Sequence, residues 1–454
     1  MHETLKIFIC LLSLLVVQPW AIAQNETRNW CFGYGHHIYF DTNSVQILPT
    51  SSTRGEPAAS ISDSSGNLLF YTNGGSIWNK LNHVMENGGG LVGSFSATQC
   101  LIVKQPLSNT LYYVFYTDGW GGNEGANYAI VDMSLNDGLG SVISKNNLLF
   151  TPASEKFSAV KHANDTSIWV MTRTVKPPVF KAYALTKKGL NPRPVISYDN
   201  TTDTTGIGQM KFSHNGSKLA LGISDMHCFE ILDFDASTGI LSNPYLSPPF
   251  PTRGTYGVEF SPNDSILYCT RNSERAIFKY DLRVSGNPLL NHTLMASSGS
   301  PGIGQLQLAI DGNIYVGREE SNYLGAIHNP NSWTMANYVD NGLNLQKRSN
   351  WSLPNFDQSL LKNVLTEIAT SVSAINNQNY FTVFPNPFNQ EINIEASFEF
   401  SEITVRDIYG RVVFQKQLNN ANKLNTDLNE VPNGNYFVAI SSKENLRSVL
   451  VVKN

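Results

Sequence analysis

The side chains with the best spacing for chemistry recur at the entries to repeated strands. They are Glu56 in Arg54-Gly55-Glu56, Gln99 in Ala97-Thr98-Gln99, Gln209 in Gly206-Ile207-Gly208-Gln209, Glu259 in Gly254-Thr255-Tyr256-Gly257-Val258-Glu259, and Gln305 in Gly302-Ile303-Gly304-Gln305. Gln209 and Gln305 share one register 96 residues apart, and the intervening copy has Gly257. Convergent amides and carboxylates of this kind would hold a polar ligand, or would satisfy backbone groups and waters. Trp120, in Asp118-Gly119-Trp120-Gly121-Gly122-Asn123, is the other candidate. An aromatic ring in a Gly-rich loop is expected to be exposed and free to stack on a sugar face.

Other chemistry finds little footing. No GxSxG nucleophile elbow, HExxH or P-loop occurs. No catalytic residue, cofactor or metal ligand is assigned. Calcium is the one ion considered, for Asp311-Gly312-Asn313 and for Asp132 to Gly138. The first needs those residues as a hairpin turn in any case, and the second lacks the closing Glu of an EF-hand. His36 and His37 are adjacent, so on a strand they point to opposite faces and do not share an ion.

The elements that must position these groups form a repeat. Gly206 to Ala220, Gly254 to Tyr268 and Gly302 to Val316 align without gaps, with turn residues Asn215, Asn263 and Asp311 spaced by 48. Looser copies lie around Gly66, Asn109 and Asp165. Each unit reads as strand, polar turn, strand and one or two weaker strands. That is a β-propeller blade, which buries both faces only by stacking on its neighbours in a ring. Seven blades are predicted, with six as the rival count. The seventh is expected to combine Trp30 to Asp41 with Tyr323 to Tyr338.

Composition agrees. Of 454 residues, 41% are hydrophobic and only 15% charged, with 34 Gly, which suits many short strands and tight turns. The formal net charge is −4 and no basic stripe appears, so nucleic acid is excluded as a partner. Residues 1–23 read as a secretory signal peptide: Lys6, an apolar run from Ile7 to Val17, then Ala21-Ile22-Ala23. No other segment has the length of a transmembrane helix. Cys31, Cys100, Cys228 and Cys269 remain in the mature chain. Their spacing suits no zinc site, and it does not choose between one or two disulfides and buried free thiols.

The last 75 residues form a separate unit of short alternating strands, predicted to be a small immunoglobulin-like β-sandwich. Its motifs are Phe384-Pro385-Asn386-Pro387, Asp407-Ile408-Tyr409-Gly410-Arg411, Pro432-Asn433-Gly434-Asn435-Tyr436 and a final Lys453-Asn454. In that order they resemble the type A sorting domain of the type IX secretion system of Bacteroidota. The resemblance implies Pro385, Asn386, Pro387, Asp407, Gly410, Arg411, Gly434, Tyr436 and Lys453 as sorting residues, with the secretion machinery as partner. It also implies export through the periplasm to the cell surface or medium, with the tail removed there.

The preceding region resembles secreted propellers of Bacteroidota that carry such tails. The resemblance rests on Leu68-Leu69-Phe70-Tyr71-Thr72-Asn73-Gly74, Val131-Asp132-Met133-Ser134-Leu135 and Leu353-Pro354-Asn355-Phe356, among others. It implies no chemistry. The expected organisation is signal peptide 1–23, propeller 24–356, linker 357–379 and sorting domain 380–454. The expected function is non-catalytic binding of an extracellular protein or glycan. The alternative is a propeller enzyme, a calcium-dependent lactonase-like hydrolase or a polysaccharide lyase.

Overall fold

The structure is a computed structural model that describes residues 25–41, 44–50, 55–199, 201–362, 364, 381–407, 411–441 and 446–454. The signal peptide, Arg54, Gly410 and most of the expected linker lie outside the described residues. The chain divides into two compact units, Met1–Ala369 and Thr370–Asn454.

The first unit is a β-propeller. Its repeat is clearest in Met210–Phe212, Lys218–Ile223, Cys228–Asp235 and Ile240–Leu246, which pair in chain order as an antiparallel meander. The runs beginning at Thr255 and Ile303 repeat it. Among the described residues the unit contains seven antiparallel runs, two of them joined into an eight-stranded sheet by the single parallel pair Glu86–Ser141.

Local chemistry makes the hairpins. Asp63 Oδ1 accepts from the N–H groups of Ser65 and Asn67, both at 2.9 Å. Asn215 Oδ1 accepts from Ser217 N at 2.9 Å, and Asp311 Oδ1 from Asn313 N at 2.9 Å. Gly216 and Gly312 then take φ of +72° and +81°, where glycine carries no steric cost. Asp311 is therefore a turn residue, and its Oδ2 accepts from the Tyr315 hydroxyl at 2.8 Å.

The core lies between neighbouring runs, as blade stacking requires. Trp169, Met171 and Phe180 pack against Met210, Phe212 and Leu219 of the next run. Tyr268 and Ile277 meet Leu306 and Ile314 in the same way.

Ring closure differs from the expectation. Tyr323–His328 and Asn337–Asn344 complete the run that starts at Ile303. Asn29–Phe32, His36–Phe40 and Val45–Pro49 form their own three-stranded sheet. The segment that reaches the ring's inner strands is 351–359. Gln305 N–H donates to Trp351 O at 2.9 Å, and Asn355 N–H to Ala58 O at 2.8 Å. The Asn355 side chain donates to Cys100 O at 3.2 Å and Phe157 O at 2.9 Å. Lys161 N–H donates to Ser359 Oγ at 2.5 Å. One extended segment thus ties together inner strands far apart in sequence. Its buried stretch continues past Phe356 through Asp357 to Leu361.

The second unit is a small β-sandwich with five strands: Phe381–Phe384, Glu391–Asp407, Val412–Asp427, Gly434–Ser441 and Leu446–Lys453. The strands are not all short as expected: Glu391–Asp407 is one 17-residue strand. Register shifts between Glu395 and Glu402 bend it. Its first half pairs with Phe381–Phe384 and its second with Gly434–Ser441, around Ile394, Phe400, Val405 and Val438.

Candidate binding face

The three channel glutamines are brought together, but they bond to backbone. Gln99 donates to Met210 O at 3.2 Å and accepts from Met210 N–H at 2.8 Å. Gln209 donates to Leu306 O at 3.0 Å and accepts from Leu306 N–H and Val258 N–H, both at 3.1 Å. Gln305 donates to Thr98 O and accepts from Leu353 N–H at 2.8 Å. The pattern is cyclic: each carboxamide bonds the backbone beside the next glutamine. All three are at most 1% exposed. Of the two roles open to them, a polar ligand or backbone groups, the bonds present are to backbone at both ends of each amide.

Glu259 sits one layer deeper and is also closed off. Its carboxylate takes Lys211 Nζ at 2.5 Å, Leu308 N–H at 2.8 Å and Phe260 N–H at 3.0 Å. Lys211 also donates to Gln307 Oε1 at 2.6 Å. Lys211, Glu259 and Gln307 stand at one repeat position, so the 48-residue register held this layer in the sequence. A buried charge is tolerable when paired and hydrogen-bonded in this way.

Glu56 and Trp120 remain nearer the surface. The Tyr256 hydroxyl donates to Glu56 Oε2 at 3.4 Å. Burial, reinforced by the neighbouring Glu155 carboxylate, pushes the Glu56 carboxyl up from 4.5 to about 7. Trp120 is 67% exposed with φ of +62°. Its backbone N–H donates to Glu155 Oε1 at 2.8 Å, while Glu155 Oε2 accepts from Thr98 N–H at 2.9 Å and Thr98 Oγ1 at 2.8 Å. Glu155 therefore pins the Trp120 loop to the inner strand entry. It belongs to no motif, and its place before Lys156 in a strand entry was the only signal. Ser94 N–H donates to Thr117 O at 3.0 Å, which sets the 94–96 loop beside the Trp120 loop. Phe95 on that loop is 60% exposed.

Lys156 is no free cation. Its Nζ donates to Gly206 O at 2.6 Å and Ile207 O at 2.9 Å, and burial brings its ammonium down to about 8. Behind it Arg173 is bonded to Asp199 at 2.5 Å and to Asp203 at 2.7 Å. His36 meets Arg348 O and His37 meets Asn29 Oδ1, so the pair serves two separate structural bonds. Among the described residues, no three His, Cys, Asp or Glu side chains converge to hold a metal ion. Cys31, Cys100, Cys228 and Cys269 are buried free thiols.

In the second unit the motif residues bond one another. Asn386 Oδ1 accepts from Val452 N–H at 2.9 Å. Asp407 Oδ2 takes Arg411 Nε at 2.7 Å. The Tyr436 hydroxyl donates to Pro432 O at 2.6 Å. Lys453 Nζ donates to the carbonyls of Leu428 at 2.7 Å, Asn429 at 3.0 Å and Val431 at 2.5 Å. Pro385 and Pro387 flank Asn386, and Gly434 opens the strand that carries Tyr436.

These two units define an exported propeller. Residues 382–453 match the family model described as the secretion system C-terminal sorting domain. The protein is cargo of the type IX secretion system, delivered to the cell surface or the extracellular space. Among the described residues no helix is long and apolar enough to cross a membrane.

No curated protein matches the chain. Solved structures resemble it at low identity. A 6-phosphogluconolactonase-like protein of Bacteroides uniformis is 11% identical over 72% of this chain and 99% of its own, with a TM-score of 0.49. A periplasmic gluconolactonase of Pseudomonas aeruginosa is 14% identical over 88% and 98%, with a TM-score of 0.42. The Cps50 propeller domain of Myceliophteria thermophila is 7% identical over 64% and 94%, with a TM-score of 0.40. At these values the lactonase names say nothing of this chain's activity.

Proposed function

We propose that the protein is a non-catalytic extracellular binding propeller whose ligand is a glycan held on the strand-entry end. The observation that carries this reading is Trp120, exposed yet fixed by the buried Glu155. Fixing the loop backbone lowers the entropy cost of binding, and the exposed indole face suits a sugar. Phe95 on the adjoining loop extends the apolar surface, and Glu56 supplies an acceptor for hydroxyl groups. The closed glutamine circuit supports a surface site rather than an axial one.

The enzyme reading draws on Glu56 alone, since a carboxyl poised at about 7 suits a general acid or base. A lyase also needs a cation to stabilise the developing negative charge, and Lys156 is bonded to backbone carbonyls instead.

The binding test is a panel of neutral glycans against the mature full-length chain, beside the Trp120→Ala and Phe95→Ala variants, with uronate polymers added only to look for shortened or unsaturated product. Binding lost in both variants, with no change in the recovered glycan, is the expected outcome. Equal binding by Trp120→Ala removes the proposed site. Shortened or unsaturated product that disappears in Glu56→Gln replaces this reading with the enzyme.

A further inference from the structure

The end of the propeller opposite the strand entries carries a groove of a different chemical character. Three cavities adjoin there, of about 290, 460 and 350 Å³. The first two share Lys104, Asn109 and Ile168 as walls, and the last two share Leu107, Thr166 and Ser167. They are therefore one continuous depression. It runs over the hairpin turns that follow Leu101–Lys104 and Ser158–Lys161, out to the turn after Val179–Thr186.

Its charge is sharply divided. Lys104, Lys161, Lys187 and Lys188 line the outer two cavities, against the single acid Asp165. Lys104, Lys187 and Lys188 are exposed, and Asp165 pairs only with Lys161, at 3.8 Å. In a chain of net charge −4 this is a local reversal of sign. The inner cavity is bounded by Glu26, Asp63 and Asp357 instead. The outer groove therefore favours a negatively charged ligand, and the inner cavity does not.

The floor is held in place. Gln105 Nε2 donates to Lys187 O at 3.0 Å, which fastens one lysine-bearing turn to the next. Ser108, Asn109, Thr166 and Ser167 add hydroxyl and amide groups to the same wall. A groove that carries both cations and neutral hydrogen-bonding groups suits a polymer with both anionic groups and hydroxyls.

We propose that this groove binds an anionic polysaccharide, through lysine pairing to its carboxylate or sulfate groups and side-chain hydrogen bonds to its hydroxyls. The site is separate from the Trp120 face and does not depend on it.

The test uses the mature full-length chain with alginate as the carboxylate probe, heparin as the sulfate probe, dextran as the neutral control and poly-glutamate as the peptide control. The expected result is retention by alginate or heparin at low salt, lost at about 0.5 M salt where the Debye length falls to a few ångströms. The Lys104→Gln, Lys187→Gln, Lys188→Gln triple variant is expected to bind at least about tenfold more weakly, a loss of ~1.4 kcal/mol. Its Trp120-dependent glycan binding stays unchanged and its Tm falls by a few degrees at most, because Lys187 and Lys188 are exposed and Lys104 gives up one contact with the Tyr112 ring. Whichever of alginate and heparin is retained identifies the charged group. Undiminished binding by the triple variant overturns the proposal. So does equal binding of dextran, tighter binding of poly-glutamate, or failure of both anionic probes.

Discussion

The Gln209 carboxamide forms two hydrogen bonds to the backbone of Leu306, donating to its carbonyl at 3.0 Å and accepting from its N–H at 3.1 Å. The two residues are 97 positions apart, so a side chain here does the work of a strand partner across the ring. Gln99 does the same for Met210. These amides bridge inner strands that are next but one in chain order, while neighbouring strand entries bond backbone to backbone, as Gln99 N–H does to Glu155 O at 3.1 Å and Gln209 N–H to Tyr256 O at 2.8 Å.

Replacing Gln209 by Ala takes the Gln209 acceptor from Leu306 N–H and Val258 N–H, while Leu306 O keeps Lys211 Nζ at 2.8 Å. The expected cost is about 2–4 kcal/mol, from unsatisfied buried backbone groups. Thermal unfolding should show a Tm lower by several degrees, while glycan binding at a temperature where the variant is folded keeps the wild-type affinity. A large loss of affinity with an unchanged Tm would return Gln209 to the ligand site.

Glu56 makes stability depend on pH. Its carboxyl titrates at about 7 when folded and at the ordinary 4.5 when the chain is unfolded. Between these values the folded state holds a proton that the unfolded state has lost, so stability falls as pH rises from about 4.5 to 7. Glu56→Gln removes that ionisation. The variant is expected to show a shallower fall in Tm across this window and a higher Tm than wild type at pH 8. Parallel Tm curves for the two proteins would place Glu56 in water.

The four mature-chain cysteines are expected to be inert until unfolding. Burial raises every one of these thiols, Cys228 to about 12 and the other three further. The thiolate is the reactive form. A thiol reagent should titrate none in the native protein and all four in denaturant. Fewer than four in denaturant without reductant would reveal a disulfide.

How much of this was legible in sequence follows from the range of the bonds. The hairpins were readable because Asn215, Asn263 and Asp311 bond to N–H groups two residues on, and such local geometry dictates residue type. The channel layer was half readable. The 48-residue register aligned Gln209 with Gln305, but their partners lie 97 and 207 positions away, and no local pattern encodes that. Ring closure was misread for the same reason. The 351–359 segment lacks strand alternation and includes Pro354, and its bonds reach Ala58, Cys100 and Phe157. Tyr323 to Tyr338 has a clear strand pattern, but it belongs to its own meander.

The closing segment gives a sharper test of the ring. Asn355 bonds Ala58 through its backbone and both Cys100 and Phe157 through its side chain. Asn355→Leu keeps the volume and leaves two carbonyls unpaired, at a cost of about 2–4 kcal/mol. The expected result is a lower unfolding midpoint in urea with an unchanged slope. An unchanged midpoint would mean that the segment is not what closes the ring.

Lys453 tests how the tail is recognised. Its ammonium is buried and gathers the carbonyls of Leu428, Asn429 and Val431. Those residues lead into Pro432-Asn433-Gly434, so the charge caps the turn before the strand that bears Tyr436. Lys453→Met keeps the stem and removes the donors. Three carbonyls lose a charge-assisted partner, and about 2–4 kcal/mol of tail stability should go with them. Export should fall, with full-length protein left in the periplasm and its tail cleaved faster by added protease than the wild-type tail. If export fails while the tail stays as protease-resistant as before, the secretion machinery reads the ammonium itself. The exposed Arg411 supplies the contrast. Arg411→Gln removes the ion pair with Asp407 but keeps an amide that can still donate to it, so its cost to the fold is expected to be about 1 kcal/mol. A loss of export in that variant with unchanged protease resistance does not come from unfolding, so the two substitutions together separate a tail that must be folded from a side chain that must be touched.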